Sequence, residues 1–275
     1  MLLKDKVVLV TGGGRGIGRS VVVAYAEQGA KVITVARTTR DLEKTKEQVA
    51  KVGGSVLAIP MDISDDGQIA KLRDRILSEY GRLDVLVNNA AVMLLKLVDD
   101  MTIEDWDQTL NVNVRAPFML VKAFWESMKT AGGGSIINVS SYASVSGWKQ
   151  ELHYCASKWG LDGFTRALAV EGYPYNIAVN SLFCGTARFK KTSWTDEHFA
   201  SLPVEYRARF TDSRLITPAF IYLAMQNAKG VTGRRLKADA LTSRLQKEGW
   251  HITIEPVKFV RHDDAVGIDL DPSEI

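Results

Sequence analysis

A chain of 275 residues and 30.4 kDa, 46% hydrophobic and 24% charged, has the make-up of an ordinary globular protein and can bury a full core without disulfides or a structural metal. A net charge of +3 is too small to argue for nucleic acid, no apolar run reaches the ~18 residues of a membrane span, and the N-terminus lacks the apolar stretch of a signal peptide. Two cysteines, Cys155 and Cys184, are too few for a disulfide framework, and four scattered histidines offer no metal-ligand spacing, so a soluble cytoplasmic protein is the expectation.

Lys6 to Thr11 is a short β-branched run, followed by Thr11-Gly12-Gly13-Gly14-Arg15-Gly16-Ile17-Gly18 and a helical pattern from Arg19 to Gln28. In a strand, glycine turn and helix, backbone amides can reach a phosphate at the positive helix end. Gly12, Gly14, Arg15, Gly16, Ile17 and Gly18 are therefore candidate nucleotide-binding residues. A second strand, Lys31 to Val35, ends in Ala36-Arg37-Thr38 without a carboxylate. A free ribose 2′-hydroxyl calls for an acidic residue at this position and a 2′-phosphate for arginine, so Arg15, Arg37 and Thr38 point to NADP(H) rather than NAD(H).

The helical stretch Thr38 to Val52 and a third strand, Ser55 to Pro60, lead to Met61-Asp62-Ile63. There Asp62, beside Ile63, either meets an adenine amine or caps the helix that begins near Ser64. This helix runs to Tyr80, and a fourth strand, Leu83 to Val87, ends in Asn88-Asn89-Ala90-Ala91, small residues that let the chain pass close to a ligand. Asn89 and Ala90 are the candidate contacts. Thr102-Ile103-Glu104-Asp105 reads as a capping box opening a long helix to about Lys129. Asn113 is unfavourable in mid-helix and signals a kink or a polar task.

After Gly132-Gly133-Gly134, a fifth strand, Ser135 to Val139, carries Ser140 and Ser141 at its tip. Tyr154 and Lys158 follow, four residues apart in a segment with apolar residues at helical spacing through Leu168, which places both on one helix face. A phenol ordinarily titrates near 10, and an ammonium one turn away favours the phenolate, so the pair is predicted to form a general acid/base centre working near neutrality. Gly172 and Pro174 break this helix, and a sixth strand, Asn176 to Leu182, ends in Phe183-Cys184-Gly185-Thr186. Strands alternating with helices in this rhythm imply an α/β fold, a doubly wound parallel sheet in three layers, with ligands across the carboxyl ends of the strands.

Together these residues resemble the single-domain branch of the short-chain dehydrogenase/reductase family, whose sheet is Rossmann-like. The resemblance rests on Thr11 to Gly18, on Asn88-Asn89-Ala90, on Ser141 thirteen residues before Tyr154, and on Tyr154 with Lys158. It spans about residues 5 to 239, with Thr232 to Leu236 similar to the family's last strand. It implies NADP(H)-dependent hydride transfer to or from a carbonyl/alcohol substrate, in a homodimer or homotetramer with no membrane or nucleic-acid partner. By the same resemblance Tyr154 would exchange a proton with the substrate oxygen and Ser141 would hydrogen-bond that oxygen. Lys158 would lower the tyrosine pKa and bind the nicotinamide ribose, Asn113 would hold a water on a relay to Lys158, and Gly185 and Thr186 would lie in the loop around the nicotinamide. The alternative is a cofactor-binding regulator or scaffold of the same fold that turns nothing over; the complete Asn113, Ser141, Tyr154 and Lys158 set stands against it.

The chain departs from the family pattern at Ala91 and Cys184, where glycine and proline are usual, at Phe189 in place of a threonine, and at Asp239-Ala240-Leu241 in place of Asp-Gly-Gly. Residues 1–241 are expected to form the catalytic domain, with a substrate lid at about 186–212. Phe189, Trp194, Phe199 and Tyr206 in the lid, and Trp148 before the catalytic tyrosine, either shape an apolar pocket or only anchor the lid. Residues 242–275 are an extension, with one or two strands expected between Trp250 and Val260 and a mobile acidic end, either solvated or at a subunit boundary.

Overall fold

Val7–Thr11 is buried at all five positions, as a strand covered on both faces must be. The computed structural model describes residues 1–184, 196–208, 212–254, 257, 259–262 and 265–268. Its first half runs β1 (Val7–Thr11), α1 (Gly16–Glu27), β2 (Lys31–Ala36), α2 (Thr39–Lys51), β3 (Val56–Pro60), α3 (Asp66–Tyr80) and β4 (Val85–Asn88). Then come α4 (Ile103–Leu110), α5 (Ala116–Thr130), β5 (Gly134–Ser140), α6 (Leu152–Gly172) and β6 (Ile177–Phe183). Two short helices, α7 (Asp196–Ser201) and α8 (Val204–Arg207), precede α9 (Thr217–Ala224), β7 (Arg235–Lys237), α10 (Ala238–Glu248) and the hairpin β8 (Phe259–His262) and β9 (Ala265–Ile268).

The sheet has the order β3-β2-β1-β4-β5-β6-β7 and every pairing in it is parallel. Strand alternation divides the core in two. Val8 and Val10 face α1, α9 and α10, whereas Val7 and Leu9 face α3, α5 and α6. The three expected layers follow. The strand order reverses between β1 and β4, where an open parallel sheet leaves a crevice at its carboxyl edge.

Local chemistry explains most element ends. Asp65, rather than Asp62, caps α3 by accepting the Gln68 N–H, and left-handed Gly81 closes it. The capping box at Thr102 and Asp105 is complete in both directions. The single helix expected to run to Lys129 is instead divided, because Asn111–Arg115 form a π turn between α4 and α5. A π turn carries an extra residue, and here it sets Asn113 inward, 1% exposed, against the loop after β4.

The C-terminal region differs most from expectation. The last strand of the sheet begins at Arg235 rather than Thr232, and a helix, α10, follows it at once, so the boundary expected at residue 241 falls inside a helix. Leu241 and Leu245 are buried on the α9 face, and Trp250 to Ile254 continue without strand structure. The Tyr222 hydroxyl donates to the Ile252 carbonyl at 3.1 Å, and Arg244 donates to the Thr253 carbonyl at 2.9 Å. The strands that do form, β8 and β9, lie later, and β9 packs on α6 with Ile268 against the opposite half of the core. The extension therefore passes around the β7 edge and covers part of both faces. Among the described residues no helix is long and apolar enough to cross a membrane.

Candidate active site

The glycine turn is held from two sides. From β4, the Asn89 and Ala90 N–H groups both donate to the Thr11 hydroxyl at 3.0 Å, and Asn89 Nδ2 donates to the Thr11 carbonyl at 2.8 Å. From the helices, Arg19 donates to the Gly14 and Asp41 carbonyls and, through Nε, to Thr45 Oγ1 at 3.1 Å, while that hydroxyl donates to the Gly13 carbonyl at 2.9 Å. Arg19 and Thr45 are not among the residues expected from the sequence; the only sign was a hydroxyl on the buried side of α2, fully enclosed here. Packing is tight enough that a Cβ on Gly18 would collide with the Gly12 carbonyl oxygen and lie 2.5 Å from Asn89 Nδ2.

These residues fit a dinucleotide. Gly16 has φ +55 and no atom within 4 Å of a Cβ position, so the space in front of α1 is open. The first turn of α1 has no acidic residue and no side-chain cap, which leaves its amides presented to an anion. Ile17 is half-buried beside it and packs on the core. Arg15, the N-cap of α1, and Arg37 and Thr38, beyond the end of β2, are all exposed. Asp41, in the first turn of α2, is the carboxylate of this corner, its Cβ close to Gly14. Asp62 makes a local turn, accepting from the Ser64 N–H at 2.9 Å and the Ser64 hydroxyl at 2.7 Å, and Ile63 is buried behind it. Ala91 lacks a positive φ, so replacement of a glycine there introduces no backbone strain.

Ser141, Tyr154 and Lys158 converge beyond the end of β5. The Tyr154 hydroxyl lies close enough to the Ser141 side chain for that hydroxyl to favour the phenolate, and the Ser141 Oγ accepts the Ala143 N–H at 3.2 Å. Lys158 is 3% exposed; its Nζ donates to the Val139 carbonyl at 2.7 Å and lies 5.7 Å from the Tyr154 ring centroid. Burial pushes the Tyr154 phenol up to about 12, the Ser141 hydroxyl offsetting this only in part. This reverses the sequence expectation of a phenol drawn down by its lysine. The reason is that desolvation dominates in the cleft, and Lys158 is itself pulled down to about 8 by burial, with its ammonium turned to Val139. Cys184, at the end of β6, is buried and its thiol pushed up to about 12, so it remains protonated.

Asn113 joins this cluster from the π turn. Its Oδ1 accepts the Val92 N–H at 2.8 Å, and its Nδ2 donates to the Val92 carbonyl and to Ser157 Oγ, each at 2.9 Å. Both amide protons are thus committed to protein groups, and the side chain clasps the loop after β4 to α6. Gly185, Thr186, Phe189 and Trp194 lie outside the described residues. Trp148 is 52% exposed and meets Tyr142 edge-on at 6.2 Å, and Tyr142 in turn meets buried Phe183 at 5.4 Å.

A buried ion pair lies below the serine, and nothing in the local sequence marks it. Arg235 Nε is 3.0 Å from Asp162 Oδ2, both side chains 7% exposed, and the other Asp162 oxygen accepts the Ser181 hydroxyl at 2.5 Å. Arg235 also donates to Ser144 Oγ at 3.2 Å and to the Ser141 carbonyl at 3.3 Å, and its guanidinium stacks 4.8 Å over Phe183.

Comparison with known proteins identifies the family. Residues 6–198 match the family described as short chain dehydrogenase. Trans-4-hydroxycyclohexanecarboxylate dehydrogenase of Sinomonas cyclohexanicum is 31% identical over 241 residues, covering 86% of this chain and 92% of that one. Among solved structures, a metagenomic short-chain oxidoreductase in complex with NADP superposes with a TM-score of 0.74 at 28% identity, covering 86% of this chain and 98% of the other. Carveol dehydrogenase from Mycobacterium avium in complex with NAD gives 0.74 at 26% identity, with coverages of 85% and 96%. The chain belongs to the short-chain dehydrogenase/reductase family and is an oxidoreductase.

Proposed function

We propose that the protein is an NADP(H)-dependent reductase of ketones or aldehydes, with Tyr154 as the general acid. The observation that carries the reading is the convergence of Ser141 and Tyr154 beyond the end of β5, with Lys158 one turn below the tyrosine and its Nζ 5.7 Å from the ring centroid. Bound nicotinamide would supply the hydride, which leaves negative charge on the substrate oxygen. Two hydroxyls held together are suited to stabilise that charge as it develops. Burial keeps the phenol protonated through the physiological range, which is the form a carbonyl reduction needs: Tyr154 donates its proton to the oxygen while Ser141 donates a hydrogen bond. Lys158 contributes positive charge beneath the phenolate as it forms.

The 2′-phosphate form of the cofactor is favoured by the exposed Arg15 and Arg37 and by the absence of a carboxylate at the end of β2; Asp62 and Ile63, beyond β3, would meet the adenine, and Asn89 and Ala90, beyond β4, would line the path of the cofactor. The relative named as a trans-4-hydroxycyclohexanecarboxylate dehydrogenase supports a cyclic substrate, and the exposed Trp148 and Tyr142 support apolar contact with its ring. A homodimer or homotetramer would cover the exposed Phe118 and Trp159. The test is a fluorescence titration with NADPH and NADH followed by turnover of cyclohexanone. NADPH binding at least tenfold tighter is expected, and Tyr154→Phe should abolish turnover with NADPH binding kept within about twofold. Undiminished turnover in that variant would overturn the mechanism.

A further inference from the structure

We propose that Arg235 is a positioning residue for the reaction: anchored on Asp162, its guanidinium holds the Ser141 carbonyl and thereby fixes the Ser141 hydroxyl against Tyr154. The inference rests on the Tyr154 reading above and adds a residue from the far end of the sheet to it.

The geometry is specific. The Ser141 carbonyl accepts three donors, the Ser144 N–H at 3.1 Å, the Ser144 hydroxyl at 2.9 Å and Arg235 Nη2 at 3.3 Å. Ser144 Oγ is in turn held by Arg235 Nε at 3.2 Å and Ser140 Oγ at 3.1 Å. One planar fork therefore grips both the serine and the turn that follows it. The fork cannot swing away. The same Nε that reaches Ser144 is shared with Asp162, which sits on α6 one turn beyond Lys158 and is itself fixed by Ser181 of β6. Phe183 closes the face of the guanidinium.

A buried ion pair is weak evidence of stabilisation, because desolvating two charges costs about as much as their attraction returns. Stability alone thus gives little reason for this arrangement, and its contacts end on the loop that presents Ser141. The register explains how β7 reaches so far: Arg235 lies opposite Ser181 in the parallel pairing, at the first position of β7. Holding the Ser141 carbonyl fixes the backbone from which its Cα–Cβ bond projects, and the Ala143 N–H holds Oγ at the end of that bond. Displacements of ~1 Å in such a group are enough to reduce turnover by about a hundredfold.

Arg235→Met alone leaves Asp162 buried without its cation, so the deciding variant is Asp162→Leu combined with Arg235→Met, which removes both charges together. It is compared with wild type for thermal stability, NADPH affinity and steady-state reduction of cyclohexanone, and its crystal structure is determined. The expected result is a folded protein with NADPH affinity within about twofold, KM for cyclohexanone within about threefold, kcat lowered at least tenfold, and Ser141 displaced from Tyr154 in the crystal. A purely structural role would leave kcat in step with stability. Either kcat within twofold of wild type or a Ser141 hydroxyl unmoved relative to Tyr154 overturns the proposal. If the double variant does not fold, Arg235→Lys decides: it keeps the charge on Asp162 but cannot span to the Ser141 carbonyl, and kcat unchanged there refutes the role. If cyclohexanone is not turned over by wild type, displacement or retention of Ser141 in the variant crystal decides. Turnover surviving in Tyr154→Phe would instead strike the parent mechanism.

Discussion

Replacing Lys158 by methionine should raise the stability of the protein at pH 7 and lower it at pH 10. Lys158 is 3% exposed, and burial takes its pKa from an ordinary 10.5 down to about 8. The folded state therefore holds fewer protons than the unfolded state between about pH 8 and 10.5, and stability rises with pH across that window. Below it the ammonium is charged in both states and its burial costs ~3 kcal/mol. Methionine keeps the stem in place and removes this cost, but it forfeits the hydrogen bond to the Val139 carbonyl, worth ~1 kcal/mol with a further loss for the stranded acceptor. The net gain at pH 7 is ~1 kcal/mol, a shift of a few degrees in Tm. By pH 10 most of the burial cost is gone in the wild type and the lost hydrogen bond dominates. The difference between the two proteins should thus change by ~2–3 kcal/mol over this range, and their stabilities should cross. Urea unfolding of both proteins without cofactor at a series of pH values measures it, and titrations common to both cancel. Parallel stability curves would refute the argument that burial holds Lys158 near 8.

Three further outcomes follow, one from the Lys158 cleft and two from the glycine turn. The kcat/KM for carbonyl reduction should fall as pH rises through about 8, where Lys158 loses its charge, well before the Tyr154 phenol titrates near 12; a kcat/KM profile level from about pH 7 to 10 would remove Lys158 from the chemistry. Gly18→Ala places a methyl against the Gly12 carbonyl and Asn89, so the turn must shift at a cost of ~1–3 kcal/mol, with NADPH affinity at least tenfold weaker by fluorescence. Gly16→Asn, at an open left-handed position that asparagine tolerates, should leave Tm nearly unchanged; equal destabilisation by both substitutions would contradict the packing described for the turn.

The features legible in the sequence are those whose cause is local. The glycine turn, the capping box at Thr102 and the Tyr154–Lys158 spacing each lie within a few residues, and periodicity carried the alternation of strands and helices as far as β6. Asn113 announced its π turn because an amide in mid-helix needs an explanation. The ionisation of Tyr154 was not legible: proximity of a lysine is written in the sequence, whereas the burial that outweighs it depends on the whole cleft. Arg235 and Asp162 are 73 positions apart, and no residue near either signals the pairing. α10 left a readable trace, since Ala238, Leu241 and Leu245 recur at helical spacing and are all buried, but the trace falls where the family pattern stops.

The position of β7 also bears on how the protein comes into being. Synthesis delivers the glycine turn first and the catalytic helix midway, yet the arginine that grips the serine loop is residue 235 of 275, and the segment that covers both faces at that edge comes later still. A nascent chain can complete its cofactor-binding half and still lack the brace behind Ser141. The contacts that brace Ser141 are thus available to the chain only after those that shape the glycine turn.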